Sequence, residues 1–289
     1  QGPSAGMGMT ISDPNQFYNL VSGIQDPAPN NNYGHELTYI RTVAQQSQAY
    51  SSVIVQAALN VTQQSASYPT AGTNSLADQL KIVARLIAGG LKTRIYMVSM
   101  GGFDNHSLQT DPNDTTIGTH ATLLGKLSDA VSAFMDDLSF LNISDRVVGM
   151  TFSEFGRRIV SNGSNGTDHG AGAPMFVFGT QVQPGMIGNN PLIPANATSN
   201  DNVPMQYDFR SVYASLLNQW MCVPAQDLQQ ILLQNFQTLP IVDANACTTG
   251  IDETAMASGQ NLVFCYPNPF VSRTTVKYQS NGGHTMVQV

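Results

Sequence analysis

The stretch RIYMVSMGGFDNH, residues 94–106, decides how the chain is read. Its first half, residues 94–100, is an unbroken apolar and β-branched run, the pattern of a strand buried on both faces of a parallel sheet. The run ends at Gly101-Gly102 and is followed at once by Asp104 and His106. Ligands of open parallel sheets bind beyond the carboxyl ends of the strands, so these two side chains fall where chemistry is expected.

The same grammar recurs twice further along the chain. Residues 146–152 (RVVGMTF) form a second apolar run, leading into Ser153-Glu154-Phe155-Gly156-Arg157-Arg158. Residues 174–179 (PMFVFG) form a third, preceded by Gly166-Thr167-Asp168-His169-Gly170. Between them the apolar spacing turns helical. Helices are expected over residues 35–66, from Ser75 to a stop at Gly89-Gly90, over 119–141 and over 207–220, with a short one near 15–24. Strands alternating with helices imply an α/β fold, a largely parallel sheet flanked by helices, across residues 1–242. Residues 243–260 are small and polar and read as a linker. Residues 261–289 alternate in short segments (TTVKY, HTMVQV) around Asn268-Pro269, the pattern of a β-hairpin appendage.

Bulk composition bounds the function. The chain has 289 residues, with 42% hydrophobic but only 11% charged residues, against about 25% charged in ordinary domains. Amides and hydroxyls take the place of charges, a balance suited to an extracellular or cell-surface protein. The formal net charge is −7, with 12 Lys and Arg. Such a chain has no basic stripe to neutralise a phosphate backbone, so nucleic-acid binding is not expected. No apolar run reaches the length of a membrane span. No signal-peptide pattern is visible, and the start at Gln1 reads as processed or as a fragment. Of the 3 cysteines, none has metal-binding CxxC spacing. Cys222 and Cys247 either pair in an oxidising compartment, or all three are unrelated thiols.

The candidate site residues follow from the strand ends. Asp104, His106, Glu154, Asp168 and His169 fall at three strand–loop junctions and are the expected metal ligands. Carboxylate and imidazole donors suit a divalent ion such as zinc, manganese or calcium. Such an ion polarises a phosphoryl or sulfuryl oxygen and acidifies water. Arg157 and Arg158 either bind an anionic substrate group or pair with Glu154 or Asp168. His120 reads as a first-turn helix residue. Residues 162–167 (NGSNGT) hold glycosylation-type sequons. No nucleophile elbow, phosphate loop or dinucleotide fingerprint is present.

The strings GGFDNH, SEFGRRIVSNGSNGTDHG and YDFRSVYASLLNQWM, within residues 76–239, resemble the family called domain of unknown function 1501. That family is placed with the alkaline phosphatase/sulfatase superfamily. The resemblance implies a metal-dependent hydrolase of phosphate or sulfate esters, or a non-catalytic cell-surface or assembly protein on the same fold. It implies that Asp104 and His106 match the first ligand pair and His169 the later single histidine. Ser153-Glu154-Phe155-Gly156 stands where an Asp-His-Gly turn usually comes, so Phe155 replaces a ligand. In a second alignment Asp168-His169 matches that Asp-His pair. Family members carry a longer amino end with a Gly-Gly-Asn-Asp-like segment that residues 1–74 do not resemble, so no nucleophile is named.

Residues 261–278 (NLVFCYPNPFVSRTTVKY) are similar to the start of the sorting domain used by the type IX secretion system of Bacteroidetes. That similarity implies the secretion machinery as a partner. It also implies a secreted or surface-attached location outside the outer membrane.

Overall fold

The computed structural model describes residues 29–243, apart from the side chains at 37 and 41–49, together with two strands near the carboxyl end. The chain divides into two units, one spanning Thr10–Asp243 and a second that includes Ala244–Val289. The first carries the helices. They are α1 (Asn32–Leu59), α2 (Ser75–Ala88), α3 (Thr119–Phe140), α4 (Phe209–Gln219) and α5 (Ala225–Leu232), with a 3₁₀ turn at Ser144–Arg146. The expected helix near 15–24 lies outside the described residues.

Helix starts are set by side-chain caps. Asn31 Oδ1 accepts the Gly34 N–H at 2.8 Å and opens α1. Asn74 Oδ1 accepts the Ala77 N–H at 3.3 Å, while its Nδ2 donates to Lys126 O at 2.8 Å. One buried amide therefore starts α2 and ties it to α3. The two helices pack along Leu76, Leu80 and Ala84 on one side and Ala130, Phe134 and Leu138 on the other. This is the periodicity the sequence carries at those positions.

Asp137, with no exposed surface, sits at the edge of that core. Its carboxylate accepts the Ser65 N–H at 2.7 Å, the Gln64 amide at 2.7 Å and the Tyr68 hydroxyl at 3.0 Å. These bonds satisfy the buried charge and fasten the polar loop between α1 and α2 to α3. Burial, with the Asp137 charge beside it, pushes the Tyr68 phenol well above its ordinary value.

The strands are short and antiparallel. β1 (Gly149–Met150) pairs with β4 (Val177–Phe178), and β2 (Gly156–Arg157) pairs with β3 (His169–Gly170). In the second unit β5 (Val263–Tyr266) pairs antiparallel with β6 (Thr275–Tyr278), the latter within the expected TTVKY segment. Residues 284–289, read as the next strand, lie outside the described residues. The first unit is thus a mixture of helices and small antiparallel sheets. The large parallel sheet expected from the apolar runs does not form among the described residues.

Residues 94–100 show why. A strand buried on two faces needs ladder partners on its edges. Here the run lies on the α2–α3 core through Val98 and Met100 only. Ile95 and Met97 point away and are 71% and 80% exposed. In place of a neighbouring strand, the Gln79 amide on α2 bonds both sides of one peptide residue. Its Oε1 accepts the Ser99 N–H at 3.0 Å, and its Nε2 donates to Ser99 O at 2.8 Å. The apolar pattern is real, but it does not distinguish a two-sided strand from an extended segment laid against helices.

Residues 146–152 likewise give a ladder only at β1, which meets the returning chain at β4. Gly149 leaves room there for the Phe178 ring, which a Cβ would meet at 2.2 Å and displace. Beyond α4, Cys222 adopts a left-handed φ of 57° and is disulfide-bonded. Cys247 lies outside the described residues.

Candidate metal centre

Three loops are drawn together around one open cluster. The first leaves residues 94–100 through Gly101-Gly102. Gly102 has φ 96°, a left-handed value that suits glycine, and packs against Leu123 of α3. The second is the turn from Ser153 into β2. The third runs from Asn162 into β3. The β2–β3 ladder sets Arg157 opposite His169 and Gly156 opposite Gly170.

Arg157 braces the first and third loops. Its guanidinium donates to Phe103 O, next to Asp104, and to Thr167 O at 2.6 Å. Arg158 donates through its side chain to Asn200 O and through its backbone N–H to Asp168 O at 3.0 Å. The two arginines expected at the substrate are thus engaged with backbone carbonyls. Gln109, which the sequence reading did not single out, ties the same loops from below. Its Nε2 donates to Asn105 O at 2.8 Å, and its Oε1 accepts the Thr167 hydroxyl at 2.9 Å.

The result is convergence of three expected residues. Asp104, His106 and His169 each offer a ligand atom, and these atoms lie within 4.8 Å of one another. His169 Nε2 lies 2.8 Å from Asp104 Oδ1, and His106 Nε2 lies 3.3 Å from the same oxygen. The side chains of Asp104, His106 and His169 are 71%, 47% and 42% exposed, so the cluster opens to solvent. The two histidines hold the Asp104 carboxyl below its usual range, mainly through the hydrogen bond from His169.

The other expected ligands stand differently. Asp168 faces the far side of His106, with Oδ1 at 3.2 Å from Nδ1. The same oxygen accepts from Asn162 Nδ2 at 3.2 Å. The hydrogen bonds from His106 and Asn162 depress the Asp168 carboxyl. Glu154 is exposed and is not a member of the three-residue cluster. Phe155, which the resemblance puts in a ligand's place, stacks on His169 with centroids 3.8 Å apart. His120 forms an edge-to-face pair with Phe103, 6.2 Å between centroids, and burial lowers its pKa.

The donor chemistry fits a divalent cation. A neutral imidazole has one N–H, yet both ring nitrogens of His106 face carboxylate oxygens. A second positive centre at Nε2, either a proton or a metal ion, is needed to make that arrangement attractive. Two imidazole nitrogens and a carboxylate oxygen make three protein donors, the number that leaves a coordination position free for water or substrate.

Asn162, within the sequon-bearing string, is committed internally. Its Nδ2 donates to His106 O at 2.8 Å, and its Oδ1 accepts the N–H groups of Ser164 at 2.9 Å and Gly166 at 3.3 Å. Gly166 lets the third loop touch the first, since a Cβ there would stand 2.3 Å from His106 O.

Among the described residues no helix is long and apolar enough to cross a membrane. No curated protein and no solved structure matches the chain. The family model "Protein of unknown function (DUF1501)" matches residues 6–232, beginning well before the motifs that carry the resemblance. On that match, which spans most of the 289 residues, the chain belongs to the DUF1501 family.

Proposed function

We propose that this protein is a secreted, metal-dependent hydrolase of phosphate or sulfate esters, related to the alkaline phosphatases and sulfatases. The observation that carries the reading is the cluster of Asp104, His106 and His169 within 4.8 Å at an open surface. These three residues would hold the ion. When bound, it would supply charge stabilisation on the transferred group and an acidified water. The imidazole donors favour zinc or manganese over calcium, which prefers an all-oxygen shell. The chain's own part is to orient the ligands, through the Arg157 brace and the β2–β3 ladder, and to leave the face above Asp104 open.

Export is supported by the disulfide at Cys222, since such bonds persist in oxidising compartments. The β5–β6 hairpin in the segment that resembles a type IX sorting domain gives further support. On this reading the secretion machinery is the partner of the carboxyl-terminal region, and the protein ends outside the outer membrane.

A second reading, a non-catalytic surface or assembly protein on the same scaffold, is favoured by Phe155. It places a ring on His169 where a further ligand would complete a second metal site.

Elemental analysis of the purified protein, wild type and Asp104→Ala, separates the two. The hydrolase reading expects about one zinc or manganese ion per chain in the wild type, as the single cluster implies. It expects loss of that ion in the variant and loss of turnover of chromogenic phosphate or sulfate esters with it. A metal-free wild type, or an unchanged metal content in Asp104→Ala, overturns it.

A further inference from the structure

We infer that Asp168 is the positioning carboxylate of His106. It fixes the ring as the Nδ1–H tautomer so that the Nε2 lone pair faces the cluster, and Asn162 holds Asp168 in that role. The inference rests on the metal reading for its effect on affinity but not for the tautomer itself.

The geometry is specific about the side on which Asp168 acts. His106 presents Nε2 to Asp104 Oδ1 and Nδ1 to Asp168 Oδ1, at 3.3 and 3.2 Å. Asp168 is not part of the ligand cluster, although it adjoins His169 in sequence. An ionised carboxylate only accepts, and of the two contacts only the one at Nδ1 has hydrogen-bond geometry, while Asp104 Oδ1 is already bonded to His169 Nε2, so the single proton of a neutral ring goes to the nitrogen facing Asp168. In a neutral ring that proton leaves Nε2 as the lone-pair nitrogen. A metal-binding histidine commonly donates its other N–H to a carboxylate in this way, which fixes its tautomer and raises its basicity.

Asp168 is held through both its main chain and its carboxylate. Its carbonyl accepts the Arg158 N–H at 3.0 Å, continuing the β2–β3 ladder. Its Oδ1 accepts from Asn162 Nδ2 at 3.2 Å, and that same Nδ2 donates to His106 O at 2.8 Å. One amide therefore references both the main chain of His106 and the carboxylate facing its ring. The Asn162 Oδ1 in turn holds Ser164 and Gly166, so the loop that delivers Asp168 is built around the group that aims it.

The test uses the full chain labelled with ¹⁵N and compares wild type, Asp168→Ala and Asp168→Asn. Ring nitrogen shifts of His106 are recorded without metal at a pH well above the ordinary histidine range. Zn²⁺ affinity is measured by calorimetry on the same samples. The wild type is expected to show the Nδ1–H tautomer. Asp168→Ala is expected to move toward Nε2–H and lose roughly 10–100-fold in Zn²⁺ affinity. Asp168→Asn retains an acceptor oxygen and is expected to recover much of both, which a general loss of folding would not produce. An Nε2–H wild type, or an Asp168→Ala variant with the same tautomer and affinity, overturns the inference. A wild type that binds no Zn²⁺ yet shows an Asp168-dependent Nδ1–H tautomer overturns the metal reading and leaves the positioning role standing.

Discussion

The ring of Phe155 lies flat on the imidazole of His169, their centroids 3.8 Å apart and their planes inclined by only 11°. The Arg157 guanidinium stands 5.1 Å from the same ring on the ladder residue opposite His169. Phe155 thus fills one side of His169 and leaves its Nε2 edge directed at Asp104.

Phe155→Ala removes this support without touching a ligand atom. Aromatic pairs of this kind contribute about 0.5–1.5 kcal/mol beyond their burial, so Zn²⁺ affinity should fall by at most roughly tenfold. Calorimetric titration of the variant measures it. A loss as large as that of Asp104→Ala would mean that Phe155 does more than orient His169.

Gly166→Ala should uncouple the third loop from the first. The added Cβ would meet the main-chain oxygen of His106 at 2.3 Å. One loop must move, at a stability cost of about 1–3 kcal/mol, and Asp168 moves with it. The expected outcome is a small drop in melting temperature with a clear loss of Zn²⁺ affinity. Calorimetry and thermal melts on one preparation separate the two.

Asp137→Ala should destabilise the helical core without altering the metal cluster. It strips the acceptor from the Ser65 N–H, the Gln64 amide and the Tyr68 hydroxyl. Leaving a buried donor unpaired costs about 1–3 kcal/mol, and these half-buried donors recover part of that from water, the Gln64 amide also keeping its bond to Lys81 O. A total loss of about 2–4 kcal/mol in urea unfolding is expected. Asp137→Asn, which keeps one accepting oxygen, should fall between it and the wild type.

Asp208 gives a pH signature far from the cluster. The side chain and backbone N–H of Arg210 hold its carboxyl down to about 2. A depressed carboxyl stabilises the fold above its unfolded value, and that contribution disappears as pH falls toward 2. Asp208→Asn keeps a capping oxygen for α4 but loses the charge. Its melting temperature should lie slightly below wild type near neutral pH, by an amount corresponding to less than about 1 kcal/mol for an exposed pair. The two curves should merge at the acid end. A gap that widens on acidification would exclude the ion pair as its source.

What the sequence made legible was the helical half and the pairing of chemistry with glycine turns. The start of α2 at Ser75 and Leu76, Leu80, Phe134 and Leu138 as a buried stripe follow from spacing alone, whereas the Asn74 cap became visible only in the structure. Asp104, His106 and His169 were also readable, because each follows or precedes an apolar run beside a glycine. The strand partners were not. Residues 94–100 carry the composition of a central strand, yet composition is blind to whether a ladder partner stands beside it. The jobs of Arg157, Gln109 and Asn162 were hidden for a related reason. Each spends its polar atoms on main-chain groups of a distant loop, and main-chain groups leave no mark in the sequence. α5 escaped notice because it is a single short amphipathic segment behind Pro224, only eight residues long.

The Gln79–Ser99 pair has a mechanical consequence. Because a helical side chain holds both main-chain polar groups of Ser99, the arm that leads to Asp104 is referenced to α2 at its near end. Arg157 and Gln109 hold the far side of the same turn. The carboxylate is therefore suspended between two anchorages of different kind, one on the helical layer and one on the loops it serves.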